Sequence, residues 1–410
     1  MSTPAEGSGV PLLEPREGLP EVVTDADMLQ KTIARFTGGD GPVAIDAERA
    51  SGYRYGQRAF LIQLRRAGCG TALIDPIACP DLSPLGKALD DSEWVLHAAQ
   101  QDIPCLVDVG LQPRRLFDTE LAARLLGLPR VGLAPLIENV LGYSLGKEHS
   151  AVDWSMRPLP KAWLRYAALD VELLLELRDA LQAQLRATGK LPWAREEFAY
   201  IASAAPVAPR VDPWRRTSGL HQVRSRRGLG IVRELWLERD NLARRRDLSP
   251  GRVLPDSAIV QAAVAAPTSA RELGALPVFR GRGQRRDLSR WFAAVSRALN
   301  QPESALPPPA LRYDGPPPPR TWADRDPAAA ARLTAMREAV ATVAATHQLP
   351  VENLLAPEVL RRIAWTMTDP VSAHAVDAVS QSLRELGARE WQIALTAEAL
   401  TNAVQNASVH

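Results

Sequence analysis

Short apolar runs and longer amphipathic stretches alternate through the first 200 residues. Residues 42–46 (PVAID), 59–64 (AFLIQL) and 71–74 (TALI) are bounded by glycine and polar positions and predict buried or half-buried strands. Residues 95–97 add a short candidate strand. Apolar residues recur at three- and four-residue spacing over 82–89, 101–109, 119–126, 133–141 and 161–181, which predicts helices. Strands with interleaved helices imply an α/β domain whose sheet is covered by helices.

Beyond residue 200 the two-residue alternation disappears. Helical periodicity runs over 228–246, 257–266, 270–275 and 288–300, with a loop at 252–256 (RVLPD), and again over 328–347, 357–366, 372–386 and 391–405. Each set predicts a small helical bundle. Between these pieces lie 204–213 (AAPVAPRVDP) and 301–319, which holds ALPPPA and GPPPP. Proline favours extended chain and cannot continue a helix or a strand ladder, so both stretches read as semi-rigid linkers. The expected division is an N-terminal extension 1–24, an α/β domain 25–205, a linker 206–218, a helical domain 219–300, a proline-rich linker 301–325 and a second helical domain 326–405.

Composition narrows the classes. A chain of 410 residues exceeds the roughly 250–300 that one hydrophobic core usually supports, so several domains are expected. No apolar run approaches the ~20 residues of a membrane span, and the first twenty residues lack the basic and apolar regions of a secretory signal. Cys69, Cys79 and Cys105 have neither the number of a disulfide framework nor zinc-site spacing, which fits a reducing cytoplasm. The net charge of +2 hides an asymmetry. Residues 215–300 hold 18 arginines against seven carboxylates, a charge of +11, and leave −9 for the rest. A basic module on an acidic body suggests a polyanionic partner, most often nucleic acid.

The chemistry lies in the first piece. Asp46 and Glu48 sit two apart at the end of a predicted strand, so both carboxylates share a face. Asp102 closes His97-Ala-Ala-Gln-Gln-Asp102 near a predicted helix start. Tyr166-Ala-Ala-Leu-Asp170 puts a phenol and a carboxylate on one side of a helix. Taken singly, each is ordinary surface polarity or capping. Together they make four carboxylates and a phenol in one α/β domain, a hard-oxygen set suited to Mg²⁺ or Mn²⁺. Two such ions can stabilise the attacking and leaving oxygens of a phosphoryl displacement, as in nucleases.

Over residues 29–184 these motifs, with Phe60-Leu-Ile-Gln-Leu64, Phe117-Asp-Thr119 and Asp153-Trp-Ser-Met-Arg-Pro158, resemble the exonuclease domain of ribonuclease D, in the tyrosine-containing branch of the DEDD 3′–5′ exonucleases. The resemblance implies a ribonuclease H-like mixed sheet flanked by helices. It also implies that Asp46, Glu48 and Asp170 hold one metal, that Asp46 and Asp102 hold the other, and that Tyr166 orients the attacking water. Asp118 reads as a local hydrogen-bond acceptor, and His97 as a strand cap or a substrate contact. Arg49-Ala-Ser-Gly-Tyr53 departs from the family pattern after D-x-E, which bears on contact with the 3′ end.

Residues 219–300 resemble the helicase-and-ribonuclease-D C-terminal (HRDC) domain through Arg233-Glu-Leu-Trp236, Arg239-Asp240, residues 243–247, residues 250–256 and Phe279-Arg-Gly-Arg282. Residues 326–405 resemble a second such bundle. Arg239, Arg252, Arg280 and Arg282 are candidate phosphate contacts, with internal ion pairs as the alternative. Trp365 and Trp391 read as core anchors. The whole implies a cytoplasmic, two-metal 3′–5′ exoribonuclease that releases nucleoside 5′-monophosphates from tRNA precursors or other structured RNA with a 3′ tail. Single-stranded DNA as substrate and a catalytically inactive nucleic-acid-binding scaffold are the alternatives.

Overall fold

The computed structural model describes residues 9–146, 151–205, 210–310, 315–367 and 375–407. Its first part contains strands β1 (Val10–Leu12), β2 (Val22–Val23), β3 (Val43–Arg49), β4 (Ala59–Arg66), β5 (Gly70–Ile74), β6 (Glu93–Leu96), β7 (Arg115–Asp118) and β8 (Tyr143–Leu145). Helices α1 (Ala26–Thr37), α2 (Ser83–Ala88), α3 (Ile103–Val107), α4 (Thr119–Leu125), α5 (Leu133–Leu141), α6 (Lys161–Glu172), α7 (Leu174–Ala187) and α8 (Leu191–Ser203) surround them.

Six strands form a mixed sheet in the order β2-β5-β4-β3-β6-β7, and β1 pairs with β8 in a separate ribbon. β4 runs antiparallel to β3 and β5, while β6 lies parallel to β3 and β7. The strand bearing Asp46 and Glu48 is therefore internal, and the backbone of its two neighbours holds its register. β4 presents Ile62 and Leu64 to one core, while Leu61 joins Ala167 and Ala168 of α6 in another.

Several expectations change in detail. The predicted helix 161–181 is two helices that meet at Leu173. The N-terminal extension is woven in from residue 10: β1 and β2 pair with other strands, and Arg16 bonds Glu176 at 2.7 Å.

The basic module consists of α9 (Arg226–Arg246), α10 (Pro250–Val253), α11 (Asp256–Ala265), α12 (Ala270–Ala275), α13 (Arg282–Arg286) and α14 (Leu288–Asn300), around a core of its own that includes Trp214, Phe279 and Trp291. Residues 301–310 are not a free tether. Arg226 donates to the carbonyls of Glu303 and Leu306, and the Leu306 side chain is buried against the module.

The last part comprises α15 (Trp322–Arg325), α16 (Pro327–Thr346), α17 (Val351–Leu354), α18 (Pro357–Thr366), α19 (Ala375–Glu385) and α20 (Glu390–Ala407). Its interior is continuous with that of the α/β part: Leu333, Val340, Ile393 and Leu400 belong to the same buried cluster as Leu177, Ala194 and Phe198. At the seam Trp391 stacks on Trp193, with centroids 5.2 Å apart, and donates from Nε1 to Glu197 at 2.9 Å. Arg389 adds a second bond to the same carboxylate oxygen at 2.7 Å. The chain passes so closely here that a Cβ on Gly127, itself at φ +74°, would lie 2.5 Å from the Gln348 carbonyl oxygen. No helix among the described residues is long and apolar enough to cross a membrane.

Candidate active site

Three elements bring the candidate side chains to one cleft of about 430 Å³. β3 supplies Asp46 and Glu48 on one face, as period-two geometry requires. α6 supplies Tyr166 and Asp170 one turn apart, close enough for the phenol to bond the carboxylate. A ligand oxygen from each of Asp46, Glu48 and Asp170 lies within 4.8 Å of the other two. Asp102 lines the same cleft from the start of α3. The sequence-derived carboxylates and Tyr166 are thus brought together.

The turn that delivers Asp102 is strongly constrained. Ala98 stands at φ +59°, a left-handed conformation a β-carbon disfavours, and Asp118 holds it by accepting from the Ala98 and Ala99 amides at 3.1 and 2.8 Å. The same carboxylate caps α4 through Glu120 and Leu121. Asp118 is the acceptor expected of it, and its work is to fix the backbone leading to Asp102. His97 also lines the cleft, but its Nδ1 is tied to the Thr119 hydroxyl at 2.9 Å, and burial pulls its pKa down to about 4. A neutral imidazole results.

Asp153-Trp-Ser-Met-Arg-Pro158 supports the site from behind. Trp154 is fully buried, with its ring centroid 6.4 Å from that of Tyr166, so it limits where the phenol can move. Arg157 grips Asp75 through two bonds of 2.6 and 2.8 Å and reaches the Phe60 carbonyl, joining this loop to the sheet. Asp75 is held below the usual carboxylate range by that guanidinium and by backbone amides, against the upward push of burial.

Removal from water dominates the electrostatics of the cleft. Burial, then repulsion from neighbouring carboxylates, pushes Glu48 up to about 10 and Asp102 up to about 8. Asp46 is raised by burial, against the Ala47 amide and the Arg49 charge, Asp170 is raised by burial and then by Asp46, and Tyr166 is raised by burial and the facing carboxylates. Gln63, directly opposite Asp46 on β4, is wholly buried with neither amide atom partnered. Concentrated carboxylates with so little compensating charge, beside an unused polar group, fit hydrated divalent cations bound through oxygen.

This electrostatic strain predicts a measurable stability profile. The folded state keeps protons on Glu48 and Asp102 that the unfolded chain would release, since its carboxyls titrate near their ordinary values of 4.5 and 3.8. The stability so conferred is complete below those values and is lost as pH climbs toward the raised folded ones. In EDTA, Tm is expected to fall from pH 5 to pH 8. Mn²⁺ should restore it, with a larger increment at pH 8. Calorimetry in both buffers checks this, and an increment that shrinks with pH contradicts it.

The basic module docks on the loop that follows Glu48. Arg252 stacks over Tyr53 at 4.2 Å and bonds the Gly52 carbonyl, Ser249 donates its amide to the Tyr53 carbonyl, and Tyr55 bonds Asp240. These contacts were not legible in the sequence, because each partner pair is nearly 200 residues apart. Of the candidate phosphate contacts, two have partners within the protein. Arg239 is buried and neutralised, bonding Asp256 at 2.6 Å and the Leu254 carbonyl, and Arg252 is engaged in the docking just described. Arg280 donates to the Ala275 carbonyl while remaining exposed, and Arg282 is exposed with no partner among the described residues. Several of the module's arginines are paired with the carboxylates already counted in its net charge: Arg246 with Asp287, and Arg290 and Arg297 with Glu238.

Comparison with known proteins agrees with this geometry. The profile of a 3′–5′ exonuclease domain matches residues 20–186, that of an HRDC domain residues 228–295, and that of a 3′ to 5′ exonuclease C-terminal domain residues 315–404. The chain is 34% identical over 274 residues to ribonuclease D of Granulibacter bethesdensis, an alignment covering 65% of this chain and 68% of that one. A crystal structure of a protein from Bifidobacterium adolescentis is similar at a TM-score of 0.88 and 38% identity, covering 97% of this chain and all of the other. Escherichia coli RNase D, described as an exoribonuclease involved in structured RNA processing, is similar at a TM-score of 0.68 and 29% identity, covering 94% of this chain and 98% of that one.

Proposed function

Since the chain belongs to the ribonuclease D family, and is accordingly a 3′–5′ exoribonuclease, we propose that Asp46, Glu48, Asp102 and Asp170 hold two divalent cations, Mg²⁺ or Mn²⁺, and that Tyr166 aligns the attacking water. The convergence of these five side chains in one water-accessible cleft carries the proposal. Asp46, Glu48 and Asp170 form one ligand group, and Asp46 with Asp102 the other. Bound there, the ions would acidify the attacking water and stabilise the charge on the departing 3′ oxygen.

The protein's own groups do the rest. Tyr166 is held above its usual pKa near 10 by burial and the facing carboxylates, so its hydroxyl keeps its proton at neutral pH. A protonated phenol hydrogen-bonded to Asp170 and backed by Trp154 serves as an orienting group and not as a base. Asp118, through the Ala98 turn, keeps Asp102 in place without touching substrate. The substrate we propose is structured RNA with a single-stranded 3′ tail, tRNA precursors among them, degraded in the cytoplasm. Exposed arginines of the basic module, Arg282, Arg245 and Arg285 among them, would meet the phosphates.

The test is time-resolved digestion of a 5′-labelled RNA with a structured body and a 3′ tail, in Mn²⁺, Mg²⁺ or EDTA. Loss of single nucleotides from the 3′ end with either ion, and none in EDTA, is expected. Tyr166→Phe should slow the chemical step by about 10²-fold, the cost of a misaligned nucleophile, with unchanged RNA affinity. Shortening of a DNA strand while the RNA stays intact would reassign the substrate.

A further inference from the structure

Alternation along β3 would send Arg49 to the face opposite Glu48. The ladder is interrupted there: Glu48 pairs with Leu61 and Arg49 with Ala59, so Phe60 is skipped and the register shifts between the two. Such irregularities re-aim side chains next to functional sites. The Arg49 guanidinium lies in the carboxylate cleft, with Nη1 donating to the Gln101 carbonyl at 2.7 Å and Nη2 3.1 Å from Asp102 Oδ1.

The four carboxylates consequently divide. Asp46, Glu48 and Asp170 approach one another closely, whereas Asp102 is paired with the Arg49 guanidinium. Arg49 is also the positive group that bears on Asp46 and Glu48, lowering carboxyls that burial and mutual repulsion raise. A guanidinium cannot lose its charge, so it leaves a carboxylate only by being displaced.

We propose that Arg49 is a built-in counter-ion of Asp102, competing with a divalent cation for that carboxylate, so that the half of the site containing Asp102 loads more weakly than the half formed by Asp46, Glu48 and Asp170. This rests on those carboxylates being the metal ligands. Arg49 is a positioning residue: it acts through Asp102. Its side chain is 24% exposed, with the Gln101 carbonyl as a second anchor, so it can turn away from Asp102 without crossing the core. An incoming phosphate offers the displaced guanidinium a new anionic partner. Substrate and the second ion therefore favour each other's binding, and the unliganded enzyme rests with one ion.

The experiment is a Mn²⁺ titration of the full chain followed by electron paramagnetic resonance, without RNA, for wild type, R49Q and R49K. Wild type is expected to show one tight ion and a second bound at least tenfold more weakly. In R49Q the weak step tightens on the order of tenfold, as removal of one positive charge from a partly screened cluster dictates, and the tight step changes less. R49K, which keeps the charge but loses the forked contact, falls between. A merely structural Arg49 would loosen ion binding or leave it alone. R49Q steps that coincide with wild type or weaken overturn the proposal. Absence of Mn²⁺ binding in wild type and R49Q alike would instead overturn the assignment of the carboxylates as ligands. Thermal melting of both variants verifies that the fold is intact.

Discussion

Asp46→Asn is expected to cut the rate of 3′-end release on the order of 10³-fold or more while RNA affinity stays within about threefold. Asp46 is the carboxylate common to both proposed ligand groups, and it sits on an internal strand that cannot shift to let another residue replace it. Metal assistance to phosphoryl transfer is worth several kcal/mol, and each 1.36 kcal/mol is about tenfold in rate. Asparagine keeps the shape and removes the charge, so the fold should survive. In EDTA the variant should be more heat-stable than wild type, because one member of a self-repelling cluster is gone. Single-turnover digestion and thermal melting read the two effects. Retention of a tenth of the wild-type rate would remove Asp46 from the chemistry.

Trp391→Ala is expected to destabilise the nuclease core itself, by about 3–5 kcal/mol, the usual cost of emptying a buried tryptophan site. The ring stacks on Trp193 of α8, and its Nε1 satisfies Glu197, a buried carboxylate that would then retain Arg389 as its remaining partner. At about 2–4 °C per kcal/mol for a domain of this size, Tm should drop by roughly 10 °C. The fall should appear in the transition that Mn²⁺ stabilises, because the C-terminal helices and the α/β part share one interior. If only a Mn²⁺-insensitive transition moves, the two parts do not unfold together.

Much of the site was legible because its spacing is local. D-x-E on a strand and Y-x-x-x-D on a helix place side chains by backbone period alone, and helices 270–275, 288–300 and 357–366 carry repeats long enough to read. β7 and β8 escaped notice because three or four residues hold no period, and each is a strand only through pairing with a distant partner. α1 was missed although Asp25 caps it. Charge was legible as a sum and illegible as a surface, since Arg239 and Asp256 or Arg246 and Asp287 cancel only when folding brings them together. Proline marked where the chain stops being regular, but gave no hint that residues beyond 315 return to the first core. The position of Arg49 depends on one skipped residue in the neighbouring strand, which no pattern in 46–49 announces.

That return has a consequence for how the protein comes into being. All four carboxylates proposed to bind metal are made within the first 170 residues, yet the aromatic and acidic groups of α8 at the seam are covered by side chains that leave the ribosome some 200 residues later. The basic module is synthesised in between and has its own core, so it can fold while the nuclease still waits for its last wall. The order of synthesis therefore puts the self-contained basic module ahead of the completed α/β interior, and a chain cut short after the module would carry a folded module beside an unfinished nuclease core.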